Sequence, residues 1–180
     1  RHIEAVRPGS TNLILEIDAT LVDVATRDLG FATDERMQVR VGDARLALPE
    51  LAADTYDVVI GDAFNSASVP WHLTTSEFVA EIDRVLRPDG VYVMNLIDGG
   101  PNQFARAMAA TLALHFEHVL VIGPPGGTGS FPRNQVLAAS SRPLPSFTID
   151  PQDGEALPDL VDFIDGQGTL TDDFAPADQL

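Results

Sequence analysis

Apolar and polar positions fall into short runs along this chain, and their spacing marks out strands alternating with helices. Val58, Val59 and Ile60 form an unbroken β-branched run behind Tyr56 and Asp57. Too brief for a helix, the run predicts a strand buried on both faces, as in the middle of a parallel sheet. Gly61 then permits a turn and delivers Asp62 at the strand's carboxyl end, the edge outside which open α/β sheets bind ligands. Before it, residues 1–8 read as the last turns of a helix ended by Pro8-Gly9. Residues 12–18 read as a strand closing on Glu16 and Asp18. Leu21, Val22, Ala25 and Leu29 have helical spacing, with Gly30 as C-cap. Residues 37–41 predict a further strand, closed by Gly42-Asp43-Ala44, and residues 45–53 a short helix.

Beyond Asp62, residues 64–75 read as loop. Thr75 or Ser76 is expected to cap a helix whose buried stripe is Phe78, Val79, Ile82, Val85 and Leu86. Arg87-Pro88-Asp89-Gly90 ends it before a strand over residues 91–97. Pro101 suits the first position of a helix running to about Phe116. Residues 119–122 and 135–139 predict two strands, joined by a Gly/Pro-rich loop and read as an antiparallel pair. After Ser140 the chain turns to Pro, Asp and Gly, with a short helix expected near residues 157–164. The expectation is an α/β fold with a doubly wound, mostly parallel Rossmann-like sheet. Residues 1–140 would form one domain, and residues 141–180 a tail packed on it.

The 180 residues carry a net charge of −16, which argues against nucleic acid or an anionic membrane as partner. Such a surface suits a cationic ligand and also serves solubility alone. All eleven basic residues are Arg, which excludes Lys-based covalent chemistry. Without Cys there is no thiol nucleophile, disulfide or Cys-ligated zinc. His2, His72, His115 and His118 lack metal-ligand spacing, so no metal is expected. No apolar run reaches membrane-spanning length and no signal peptide is visible, so a cytoplasmic location is expected.

The chemistry-bearing pattern is the acid that ends three successive strands: Glu16 with Asp18, then Asp43, then Asp62. A carboxylate after the second strand of a nucleotide-binding α/β unit can accept both ribose hydroxyls, and one after the next strand can accept an adenine amino group. A strand-terminal Asp is also common as a helix N-cap. In the loop after Asp62, Trp71 suits packing on an aliphatic chain or an adenine, or anchoring of the loop, and His72 is catalytic or structural. Asp98 is a candidate substrate contact, whereas Tyr92 and Asn95 read as structural. Gly126-Gly127-Thr128-Gly129 does not follow a strand and open a helix, so it reads as a hairpin loop rather than a phosphate cradle. Asp172 and Asp173 are candidates to close over the site from the tail.

Leu15-Glu16-Ile17-Asp18, Val41-Gly42-Asp43-Ala44, the run from Tyr56 to Phe64 and the run from Leu86 to Asn95 are similar, in order and spacing, to the spermidine synthase (polyamine aminopropyltransferase) family. That family shares the class I S-adenosylmethionine methyltransferase fold. The resemblance covers residues 1 to about 140, and residues 170–176 look like the tail of spermidine synthase-like proteins. It implies that Glu16 holds the ribose and Asp43 the adenine of decarboxylated S-adenosylmethionine or S-adenosylmethionine, with Asp18, Gly42 and Ala44 beside them. Asp62 would face, and deprotonate, a small-molecule amine. The family pattern Asp-x-x-Asp-Pro is here Asp62-Ala63-Phe64-Asn65, so an amide stands where a second polyamine-binding acid is usual. The glycine-rich turn and first strand of the fold would precede Arg1, so an N-terminal truncation of a longer protein is expected. The implied activity is aminopropyl transfer to a polyamine. The alternatives are a small-molecule methyltransferase and a non-catalytic nucleoside-binding or assembly domain, and a homodimer is left open.

Overall fold

The computed structural model describes residues 2–66, 68–125, 131–144, 146, 148–156 and 159–177. They fall into two compact units, Arg1–Leu51 and Ala52–Leu180. The loop motif at residues 126–129 and the first two residues of the helix expected at 157–164 lie outside the described residues.

The first unit runs α1 (His2–Val6), β1 (Asn12–Glu16), α2 (Ala19–Asp28), β2 (Met37–Val41) and α3 (Ala44–Ala47), followed by a 3-10 turn at Leu48–Glu50. β1 and β2 pair in parallel with Glu16 opposite Val41, and the Gly42 N–H donates to the Glu16 carbonyl at 2.8 Å. Both strands therefore finish at one edge. Gly42 holds φ at +151°, a backbone state that side chains rarely adopt. The helix expected over 45–53 is shorter, because Pro49 has no N–H to continue the α ladder and the chain tightens into the 3-10 turn.

The second unit contains β3 (Tyr56–Gly61), α4 (Ser76–Val85), β4 (Leu86–Asp98), α5 (Gln103–Leu112), β5 (His118–Gly123), β6 (Arg133–Ser140), β7 (Glu155–Ala156) and α6 (Leu160–Ile164). Its sheet order is β3-β4-β6-β5-β7. β3 and β4 are parallel, while β6 runs antiparallel to both β4 and β5, as the sequence pattern suggests for that pair. Alternate residues of β4, from Tyr92 through Met94 and Leu96 to Asp98, are buried, and the intervening ones are half-buried. This period-two pattern gives the strand a core face and an outer face. α5 is buried at Phe104, Ala105, Met108 and Leu112 among others, and α4 at Phe78, Val79, Ile82 and Val85. Both helices touch β4 and each other, so the core lies between them and that face.

Three expectations need correction. β3 is the outer strand of its sheet rather than a central one, and Val58 and Ile60 are 53% and 60% exposed. An apolar run states that a strand prefers burial, not that neighbours are present on both sides. Arg87–Gly90 does not simply end α4. Leu86 already pairs with Tyr56, and the register then jumps to Val58 opposite Val91, so the intervening residues bulge from the ladder. Pro101 precedes the helix instead of opening it; Asn102, in the left-handed region at φ 56°, is the N-cap of α5.

The C-terminal segment is tied to the second unit at specific points. Leu170 is 1% exposed, its N–H donates to Thr111 Oγ1 at 2.9 Å, and its carbonyl accepts from the Ser76 N–H at 2.8 Å. Arg106 donates to the Phe163 carbonyl at 2.6 Å and to Asp165 at 2.9 Å. Among the described residues no helix is long and apolar enough to cross a membrane.

Candidate functional site

The parallel register of β1 and β2 sets Glu16 beside the Gly42-Asp43-Ala44 turn, within the first unit. Glu16 is half-buried, and its Oε1 accepts the Asp18 N–H at 2.9 Å. That bond fixes the carboxylate over the turn leading into α2. Asp18 is the N-cap of α2, accepting from the Thr20 N–H at 2.8 Å, which gives it a structural task of its own. Asp43 caps α3 in the same way, through the Arg45 N–H at 2.8 Å. Both possibilities read from the sequence are thus compatible for Asp43: one oxygen can cap while the carboxylate, half-buried at the strand edge, keeps acceptor capacity. Gly42 and Ala44 flank it as backbone.

In the second unit, β3 delivers Asp62 immediately after Gly61. A Cβ added at Gly61 would lie 2.5 Å from the Tyr92 hydroxyl, so the strand end is held tightly against β4. Asp62 is exposed, and its Oδ1 accepts from Asn95 Nδ2 at 2.8 Å. Asn95 Oδ1 accepts in turn from Asn134 Nδ2 at 3.0 Å. Asn95, read from the sequence as structural, therefore touches the candidate base directly. Nothing in the local pattern of β4 marks it; the signal is the pairing of Gly61 with Met94, which places the next residues side by side. Tyr92 is buried, at 2% exposure.

The remaining candidates take different places. Asn65 and Ser68 form an isolated bridge with the Asn65 N–H donating to the Ser68 carbonyl at 2.7 Å, so Asn65 sits in a tight turn and is exposed. Trp71 is 48% exposed and does not anchor its loop; Val69, Leu73 and Thr74 are the buried residues there. The Trp71 ring meets His72 edge-on at 5.8 Å between centroids. Asp98 is 7% exposed, and both its oxygens accept backbone N–H groups, from Gly99 at 2.7 Å and Ala105 at 2.8 Å. It holds the first turn of α5. Asp172 Oδ1 accepts from Thr75 Oγ1 at 2.7 Å, and the Asp172 N–H donates to Glu77 Oε2 at 3.0 Å. That pins the tail to the start of α4, while Asp173 is exposed.

Comparison with known proteins finds similarity over the part of the chain that carries these residues. The Spermine/spermidine synthase domain matches residues 10–98, a span that ends on Asp98 and includes Glu16, Asp43, Asp62 and Asn95. A polyamine aminopropyltransferase of Vibrio vulnificus is 30% identical, the match covering 96% of this chain and 62% of that protein. The chain thus spans about three-fifths of the length of this curated relative. Among solved structures, a probable spermidine synthase from Corynebacterium glutamicum superimposes with a TM-score of 0.86 at 27% identity, over 96% of this chain and 67% of that one. Human methyltransferase-like protein 13, solved in complex with SAH, shares the fold, with a TM-score of 0.67 at 21% identity over 99% of this chain and 82% of that one. The domain match, the relative and the superposed structures together show that this chain is similar to spermidine synthases and shares their α/β fold, which methyltransferase-like protein 13 also has.

Proposed function

We propose that this protein transfers an aminopropyl group from decarboxylated S-adenosylmethionine to a small amine of the polyamine class. The observation that carries the reading is Asp62: an exposed carboxylate at the carboxyl end of β3, inside the matched domain, with one oxygen already oriented by an amide. In this reaction the amine nitrogen forms a bond to the carbon beside the sulfonium, and the carbon–sulfur bond breaks with its electron pair going to sulfur. The amine is an ammonium ion at neutral pH, so it must first lose a proton, which Asp62 accepts directly or through a water. Its charge also attracts the cationic amine.

Glu16 is assigned the ribose hydroxyls and Asp43 the adenine amino group, with Gly42 and Ala44 allowing close approach of backbone and Asp18 serving the α2 turn. Glu16 Oε1 takes one local N–H, and a carboxylate retains acceptor sites beyond that one. Trp71, exposed at 48%, offers a flat apolar face to the methylene chain of the amine, with His72 and Asn65 on the same loop. Asp98 acts by holding α5 rather than by touching substrate.

The test uses the full-length protein with decarboxylated S-adenosylmethionine and putrescine. Asp62→Asn should lower turnover by about 10²-fold while calorimetric affinity for methylthioadenosine changes little. Unchanged turnover removes Asp62 as base. A second reading, methyl transfer to a small molecule, is favoured by Asn65 replacing an acid and by the likeness to methyltransferase-like protein 13. It predicts tight S-adenosylhomocysteine binding with no putrescine synergy.

A further inference from the structure

We infer that Asn95 and Asn134 are positioning residues that fix the carboxylate of Asp62 by a two-step amide relay across three adjacent strands. The inference rests on the reading of Asp62 as proton acceptor and names the residues that set its orientation. β3, β4 and β6 are neighbours in the sheet. Gly61 pairs with Met94, which brings Asp62 alongside Asn95. Asn95 pairs with Val136, so Asn134, two residues along β6, lies diagonally on the same outer face, within reach of a long side chain.

The polarity of the relay follows from chemistry. An ionised carboxylate only accepts hydrogen bonds, so the Asn95 atom 2.8 Å from Asp62 must be its nitrogen. The amide oxygen then points away, and Asn134 Nδ2 donates to it at 3.0 Å. Asn134 thereby locks the amide against a flip that would aim an oxygen at the carboxylate. Asp62 is exposed, and an exposed carboxylate without such a clamp would sample several rotamers. Clamping Oδ1 leaves Oδ2 to meet the incoming nitrogen; among the described residues Oδ2 has no hydrogen-bond partner. Holding a base within reach of its proton is where an enzyme gains through orientation.

The experiment combines kinetics with a spectroscopic readout that is independent of turnover. With decarboxylated S-adenosylmethionine and putrescine as probes, Asn95→Leu should lower kcat about tenfold, the scale of one charge-assisted hydrogen bond, with the nucleoside KM unchanged. Asn95→Gln keeps an amide and should recover most of that loss. Asn134→Ala, at an exposed position, should lower kcat about threefold, and adding it to Asn95→Leu should cost nothing more. In parallel, the side-chain NH2 resonances of Asn95 in ¹⁵N spectra should move on Asn134→Ala and on Asp62→Ala, with the backbone signals of the three strands in place. Losses that add, or Asn95 resonances indifferent to both changes, would overturn the relay. If Asp62→Asn leaves turnover intact, the functional reading falls instead, and the resonance shifts still decide whether the clamp exists.

Discussion

Glu16 and Asp62 are both acids at strand ends, yet they are held by different kinds of partner. Glu16 has an oxygen engaged by a backbone N–H two residues on, while Asp62 is engaged by a side chain from the neighbouring strand. If Glu16 holds the ribose as proposed, replacing it with Gln should weaken nucleoside binding by about tenfold, since a charge-assisted bond to a hydroxyl would become neutral, with turnover at saturation little changed; calorimetry against methylthioadenosine reads it. Gly61 is constrained by close approach. A methyl group there meets the buried Tyr92 ring, so Gly61→Ala should destabilise the fold by about 1–3 kcal/mol through overpacking, measured by denaturant unfolding. Gly61 was legible in the sequence as a turn residue, but its clash partner lies thirty-one positions on (92 − 61) and was not.

At the scale of elements, the start of α4 was legible while that of α5 was not. Thr75 caps α4 as expected, accepting the Phe78 N–H at 3.3 Å, because a Thr before an apolar 3.6-residue stripe has one economical use. Thr75→Ala removes both that cap and the tether to Asp172, and should cost about 1–2 kcal/mol in thermal or chemical unfolding. Asp98 was less legible. An acid at the end of a buried strand was a candidate substrate contact, and the approach of the Ala105 N–H shows what its second oxygen holds. Asp98→Ala leaves a buried N–H without a partner and should destabilise by about 1–3 kcal/mol. The entry to β2 carries a pH-sensitive turn: hydrogen bonds from the Arg36 and then the Met37 N–H hold the Asp34 carboxyl below its ordinary value of 3.8. Its contribution is therefore present above that value and fades as the solution is acidified through the lower folded one.

For the molecule as a whole, two conditions follow from charge and burial. A net charge of −16 implies self-repulsion in the folded chain, so moderate salt should raise the unfolding temperature by screening it. Burial pushes the Tyr92 phenol well above its ordinary value of 10.0. A group that binds its proton more tightly when folded gives stability that is complete below the unfolded value and lost as pH rises past it. Stability of the unit Ala52–Leu180 should therefore fall above about pH 10, and Tyr92→Phe should flatten that fall in alkaline denaturation curves.

The amino-acid order alone determined the succession of strands and helices, the antiparallel closing pair and the acids at three strand ends, because periodicity and capping act over a few neighbouring residues. Tertiary structure decided that β3 is an outer strand, that Trp71 is exposed, that Asp98 serves a helix, that Asn95 bonds Asp62 and that Asn134 bonds Asn95. These depend on which strands lie beside one another and in what register. A hydrogen bond between side chains on different strands leaves no local trace in the pattern of apolar and polar positions.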